Sequence, residues 1–271
     1  MATITSVTAQ KRQHRYNLFL DGHYAFSVSE KTLAEFVLLK GKTLTDQQVA
    51  AIQQFDVDAK VSDLAAQYLS YEPRTVHEVS VYLTKKGASP EALAHAVAEL
   101  TDLGLLDDEA YVQLFIKHNL RVGSHGPMSL ARQLAQKGIA DELAENALAA
   151  VPDDDWLPIG QKIVRSLTSQ GGKLSSREVN RKMQAKLRSH GFSGDLLTTI
   201  LANAEPVSEG DDELEALKRQ GIKAYKRFRR LPAAQQQQKM RQYLYQHGFS
   251  GNQISAFLAG EIISFSELAE Y

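Results

Sequence analysis

Eight histidines, two acidic runs and a set of arginines and lysines late in the chain are the residues whose types could support chemistry. The histidines fail as a metal site on spacing. None forms H-x-x-x-H or H-E-x-x-H, the intervals that set two imidazoles on one helical face. The absence of cysteine removes thiolate metal sites, a disulfide framework and a cysteine nucleophile. His190 and His247 each stand just before a glycine, where an imidazole can bond the last carbonyls of a helix. Asp107-Asp108-Glu109 and Asp153-Asp154-Asp155 suggest magnesium at first sight. Each directly precedes a helical pattern, so capping of free N–H groups is the expected role. Ser124-His125-Gly126 has no nucleophile-elbow context, and no G-x-x-x-x-G-K-[ST] loop is present to cradle ATP phosphates. Arg74 and Glu78 are four apart and read either as a surface pair or as a contact docking the next segment. No catalytic residue, cofactor or metal is expected.

The cations remain. The net charge of −1 conceals an asymmetry: residues 1–155 carry −7, residues 156–260 carry +9 and the last 11 residues carry −3. A basic half of this kind points to an anionic partner, nucleic acid first. Around Arg177–Ser189, Val179, Met183 and Leu187 recur on one helical face. At about 100° per residue, Arg177, Arg181 and Arg188 lie nearly opposite, with Lys182 and Lys186 flanking the apolar stripe. Farther on, Leu214, Leu217, Tyr225 and Phe228 form an expected inward face, and Arg219, Lys223, Lys226, Arg227 and Arg230 an outward one. Arg241 and Tyr245 belong to the last such helix. Tyr245 falls off its Met240/Leu244 stripe and suits stacking on an unpaired base.

The elements that must hold these residues are mostly helical. Arg15–Leu20 and His23–Val28 flank Asp21-Gly22, the signature of a β-hairpin with a type I′ turn, and Ile4–Val7 offers a third strand. Helices are expected over Ser29–Leu39 and Asp46–Phe55, the latter capped by Thr45 or Asp46, with Gly41 between them as a stop. From residue 60 onward a repeat dominates. Val79-SVY-Leu83-TKK-Gly87, Leu130-ARQ-Leu134-AQK-Gly138, Met183-QAK-Leu187-RSH-Gly191 and Met240-RQY-Leu244-YQH-Gly248 share one pattern, their glycines 51, 53 and 57 residues apart. Apolar residues four apart share a helical face, and the glycine four beyond is a C′ residue suited to the left-handed conformation that ends a helix. Each unit has an amphipathic segment upstream (Val61–Leu69, Tyr111–Leu120, Ile159–Leu167, Leu214–Phe228) and a further helix starting near Leu93, Leu143, Leu196 or Ile254. Ser89-Pro90, Asp141, Ser193 and Ser250-Gly251 supply turn or cap chemistry before the latter.

In these residues the chain resembles a known family. Tyr68–Gly87 (YLSYEPRTVHEVSVYLTKKG) with Leu100–Tyr111 (LTDLGLLDDEAY) is similar to the first repeat of the RecX regulatory proteins, and Gly126–Ile139 (GPMSLARQLAQKGI) to the second. Arg74, Glu78, Leu83, Lys86, Gly87, Leu103, Leu106, Asp107 and Tyr111 stand where that pattern expects them. The Asp21-Gly22 hairpin, Tyr24-Ala25-Phe26 and Lys40-Gly41 resemble the amino-terminal extension of the long, Gram-positive-type members. The resemblance implies tandem three-helix repeats and a modulator of the RecA recombinase. Such a protein binds in the groove of the RecA–DNA filament, limits its growth and inhibits strand exchange and coprotease activity. Many relatives are strongly basic overall; this chain is near neutral, which points to its carboxyl-terminal half for contact with DNA.

The expected architecture is mainly α: a small amino-terminal β-hairpin domain (1–58) and four three-helix repeats (59–108, 109–155, 156–207 and 208–271) forming a curved array. Leu83, Gly87, Leu134, Gly138, Leu187, Gly191, Leu244 and Gly248 define the repeat. The expected function is non-enzymatic: a cytoplasmic, monomeric regulator whose partner is the RecA filament, with single- or double-stranded DNA secondary and no membrane. The competing reading is a sequence-nonspecific DNA- or RNA-binding repeat protein with no recombinase partner; a third is a protein scaffold whose basic stripes serve solvation only. The expected contacts are Arg177, Arg181, Lys182, Lys186, Arg188, Arg219, Lys223, Lys226, Arg227, Arg230, Arg241 and Tyr245.

Overall fold

The computed structural model describes residues 1–11, 14–170, 172–204, 210–264, 267, 268 and 270. They fall into two compact units. One comprises residues 1–114 and 134–144, the other residues 115–133 and 145–271.

The first unit opens with a four-stranded antiparallel sheet: β1 (Ala2–Ala9), β2 (Arg15–Leu20), β3 (His23–Ser29) and β4 (Thr43–Leu44), in the order β3-β2-β1-β4. The hairpin turn has φ of 48° at Asp21 and 86° at Gly22, the two positive angles a type I′ turn requires. The third strand is longer than Ile4–Val7, and the two-residue β4 goes beyond the sequence expectation. The helix expected over Ser29–Leu39 is shorter: α1 (Glu30–Glu35) is capped by the Ser29 hydroxyl and followed by Val37 at φ 45°. Ile4, Leu18, Val28, Leu38, Leu44 and Ile52 form the core here.

Next comes a single helix, α2 (Asp46–Leu69), where the sequence suggests two. Thr45 and Gln48 form its capping box. No Gly or Pro interrupts residues 55–61, so the helix has no reason to break. It serves two cores. Ile52 packs under the sheet, while Val61 and Ala65 join Val79, Leu83, Ala92, Ala96, Leu100 and Leu106. Asp56, buried at its midpoint, accepts hydrogen bonds from Arg15 Nη2 (3.0 Å), the Ser29 amide (2.5 Å) and Thr32 Oγ1 (2.9 Å). It ties β2, β3 and α1 to α2.

The remaining helices come in threes. The first repeat completes α2 with α3 (Val76–Lys85) and α4 (Pro90–Asp102). The others are α5 (Asp108–Val122), α6 (Pro127–Gln136) and α7 (Asp141–Ala149); α8 (Asp153–Thr168), α9 (Ser176–Ser189) and α10 (Gly194–Ala202); α11 (Asp211–Phe228), α12 (Ala233–Gln246) and α13 (Gly251–Leu258). The architecture is therefore mainly α, with three-helix repeats behind a small sheet. Leu83, Leu134, Leu187 and Leu244 are fully buried, and the four glycines have φ of 82°, 77°, 89° and 92°. Ser89 and Ser250 cap their helices through side-chain oxygens, whereas Ser193 stands at the cap position without that bond. The α8 helix starts at Asp153, ahead of the expected Ile159, with its three aspartates in the first turn. Of the Pro206–Asp212 linker, residues 206–209 lie outside the described residues, as does the expected repeat boundary at 207/208.

In α11 the inward face differs from expectation. Leu217 is buried and Tyr225 and Phe228 are half-buried, but Leu214 is 41% exposed in the first turn. Small and polar residues occupy the face instead: Ala216, Gln220, Gly221 and Ala224. A Cβ on Gly221 would come within 2.1 Å of the Phe257 ring, so glycine admits α13 there.

Candidate nucleic-acid interface

The α9 helix follows its sequence pattern. Ser175 caps it, and Val179, Met183 and Leu187 are buried. Arg177, Arg181, Lys182 and Arg188 are exposed. Lys186 is half-buried and donates to Ser166 Oγ on α8 at 3.2 Å. On α11, Arg219, Lys223, Lys226 and Arg227 are exposed, as is Arg230 just past the helix; Arg227 rests over the Phe228 ring. Arg241 is exposed on α12, 3.5 Å from Ser255 Oγ, and Tyr245 is 66% exposed.

Only some of these residues converge. A cleft of about 440 Å³ lies between α9 and the end of α12. Arg177, Asn180, Arg181 and Gln184 line one side, Tyr245 and Gln246 the other. Its floor holds Glu178, His247 and Gly248. Glu178 is buried beneath the arginines and bonded to His247 Nδ1 at 2.9 Å, with Arg181 and Lys182 within 3.9 Å, so its charge faces cations. The cleft is thus cationic and amide-lined, with one exposed aromatic. That set can take a phosphate on a guanidinium fork and a base on the ring. None of the α11 cations lines this cleft. Arg219 lines a different hollow, with Glu215, Lys218 and Ile222. Asn180, Gln184 and Gln246 were not foreseen. With Arg177 and Arg181, two of them complete an i, i+3, i+4, i+7 polar stripe that helical spacing could have revealed.

The cleft is positioned by a contact that recurs in the chain. The N-terminal turn of one middle helix sits on the C-terminal corner of the next. Ser175 Oγ donates to the His247 carbonyl at 2.5 Å, and a Cβ on Gly248 would fall 2.6 Å from that hydroxyl. Likewise Thr75 Oγ1 donates to the Lys137 carbonyl at 2.6 Å, and a Cβ on Gly138 would meet His77 Cβ at 2.2 Å. In the third case the Gly126 amide donates to the His190 carbonyl at 2.7 Å and the Met128 amide to the Gly191 carbonyl at 3.1 Å. These glycines therefore do more than end helices. They leave room for the neighbouring helix.

This corrects the expected role of the histidines. His190 Nδ1 bonds the Ser124 carbonyl at 2.7 Å and His247 Nδ1 the Glu178 carboxylate, so both reach across to the preceding repeat and not to their own helix. Glu78 does the same in the first unit. It pairs with Lys137 at 2.9 Å and only distantly with Arg74 at 4.0 Å, which resolves the two readings in favour of docking. Partial burial pushes the Glu78 carboxyl up and the Lys137 ammonium down. At Glu78 the hydrogen bond from Lys137 outweighs this, with the Thr75 amide and the charges of Lys137 and Arg74; at Lys137 the hydrogen bond with Tyr111 does so first, then that with Glu78. Glu78 is held below, and Lys137 above, its ordinary value.

The first acidic run caps helices, whereas the second does not: α8 starts from Pro152 without a side-chain cap bond, and Asp153, Asp154 and Asp155 stand in its first turn, where their charge favours the helix dipole. Asp107 Oδ1 accepts from the Ala110 amide at 2.9 Å, while Asp108 Oδ1 accepts from the Val76 amide at the head of α3. No group of three metal-ligating side chains occurs among the described residues, and no described helix is long and apolar enough to cross a membrane.

Comparison with known proteins finds matches to family models over the sheet and over the first, second and last of the helix triplets. The N-terminal domain of regulatory protein RecX matches residues 2–45, and the first, second and third RecX three-helix domains match residues 63–100, 107–148 and 211–258. Regulatory protein RecX of Lactobacillus delbrueckii subsp. bulgaricus is 57% identical over 271 residues, all of both chains. Its counterpart in Bacillus subtilis is 33% identical over 96% of this chain and 99% of its own. A crystal structure of regulatory protein RecX superimposes with a TM-score of 0.66 at 31% identity, covering 75% of this chain and all of the other. That of RecX from Lactobacillus salivarius gives 0.52 at 28% identity, over 54% of this chain and 96% of the other. The chain belongs to the RecX family of regulatory proteins.

Proposed function

We propose that this chain is a non-enzymatic regulator that binds the RecA recombinase filament on DNA and restrains it by capping growth or loosening subunit contacts. It acts as a cytoplasmic monomer, built as an amino-terminal sheet domain and four repeats. One observation carries the nucleic-acid part of this reading: Arg177, Arg181 and Tyr245 surround a single cleft. A filament offers protein carboxylates and DNA phosphates together, and planar guanidinium forks match both. Binding spread over several repeats needs only modest affinity at each.

The test is inhibition of RecA's DNA-dependent ATPase. The variant Arg177→Ala/Arg181→Ala/Arg188→Ala should inhibit far less than the parent. Its salt dependence should be shallower by up to about two to three log units per log unit of salt, nearly one for each phosphate that is no longer neutralised. Unchanged inhibition would defeat the assignment. The second reading, a nonspecific nucleic-acid binder without a recombinase partner, is favoured by the exposed Tyr245 ring beside the amides, a setting suited to an unpaired base. Equal affinity for naked DNA and for filament would support it.

A further inference from the structure

Among the described residues, three of the four middle helices end in an occupied corner, and the fourth corner stands open. In the occupied ones, the residue before the glycine (Lys137, His190 or His247) is half-buried and its carbonyl accepts a hydrogen bond from the incoming helix turn. At α3 the corresponding residues are Lys86 and Gly87. Gly87 has the same backbone angle, 82°, yet nothing lies within 4 Å of where its Cβ would stand. Thr84, Lys85, Lys86 and Gly87 are all exposed.

The occupied corners also say what fits. Two incoming turns are N-caps of one composition: Thr75 with Glu78, and Ser175 with Glu178. The hydroxyl donates to the corner carbonyl, and the glutamate three residues on pairs with the corner side chain, Lys137 or His247. Lys86 repeats the lysine of the first of these. We propose that the Lys86–Gly87 corner is a docking socket for a partner protein, which inserts the first turn of a helix that begins Ser/Thr-x-x-Glu. A second copy of this chain does not match. The equivalent turn of its last repeat, at α12, has Pro232 as cap and Gln235 in third place, so it brings neither hydroxyl nor carboxylate. The Ser264 turn does carry Glu267, but Leu268 anchors it in the core of the fourth repeat.

The full-length chain, labelled for amide NMR, tests this with a synthetic peptide of its own residues 72–86. The peptide is stapled through positions 81 and 85, both exposed in α3. Saturable shifts should centre on Lys86, Gly87 and Ala88. They should weaken roughly tenfold for a peptide carrying Glu78→Gln, as expected for loss of a charge-assisted bond. Gly87→Asn in the chain should abolish them, because asparagine tolerates the left-handed conformation while its side chain fills the socket. Absence of saturable shifts, shifts centred on Lys137–Gly138, or undiminished binding by Gly87→Asn would overturn the proposal. So would shifts at Lys86–Gly87 that arise from raising the chain's own concentration without peptide, since the occupant would then be a second copy.

Discussion

Replacing Gly87 and Gly191 by alanine, one at a time, separates two roles that look identical in sequence. Both residues sit at nearly the same positive φ, 82° and 89°, so each alanine bears about 1–2 kcal/mol of left-handed strain. Lower entropy of the unfolded chain offsets about 0.4–1 kcal/mol of that. At Gly87 the added methyl meets open space, and the net cost should be about 1 kcal/mol or less. At Gly191 it would lie 2.4 Å from the Ser129 backbone nitrogen and 2.6 Å from Ser129 Cβ, atoms that cannot swing aside. Helix α6 must retreat. Overpacking of this kind costs about 1–3 kcal/mol, and the two amide bonds to the His190 and Gly191 carbonyls are strained with it. A total of about 3–4 kcal/mol follows for Gly191→Ala. Urea unfolding followed by far-ultraviolet circular dichroism reads both variants. Trp156, the single tryptophan, is buried in the second unit and reports on that unit separately by fluorescence. Equal destabilisation by the two alanines would refute the claim that the repeat glycines accommodate a neighbouring helix.

Two further perturbations follow from the first unit. The depressed Glu78 carboxyl contributes stability that is complete above its ordinary value and lost as pH falls through its lower folded value. Thermal melts in acid should therefore show the parent losing an increment that Glu78→Gln lacks throughout; parallel curves would contradict this. Asp56→Ala strips the buried partner from Arg15 and leaves the Ser29 amide and Thr32 hydroxyl without their acceptor. A loss of about 3 kcal/mol is expected, read as earlier proteolysis within residues 1–58; unchanged protease resistance would contradict it.

Much of this fold could be read from residues alone, and the exceptions share a cause. The Asp21-Gly22 turn, the Thr45 cap and the four glycine-ended helices are local chemistry, in which a short window of sequence determines the backbone. Contacts distant in sequence were out of reach. Nothing in the spacing of Asp56 announces that it binds residues 15, 29 and 32. Nothing in His190 or His247 says that the imidazole turns toward the preceding repeat. Gly221 and Leu214 illustrate the same limit inside one helix: hydrophobicity favours leucine for the core, but close approach of Phe257 requires the glycine face. For the cleft, charge periodicity singled out Arg177 and Arg181, and Tyr245 stood out by lying off its apolar stripe. Their convergence depends on the Ser175–His247 and Glu178–His247 contacts, which only the three-dimensional arrangement supplies.

The most direct test compares affinity for a preassembled RecA filament on single-stranded DNA with affinity for the same oligonucleotide bare, at fixed salt. The parent should favour the filament clearly. Arg177→Ala/Arg181→Ala/Tyr245→Ala should lose most of its filament binding while keeping its fold. Indistinguishable affinities of the parent for filament and bare strand would contradict the account.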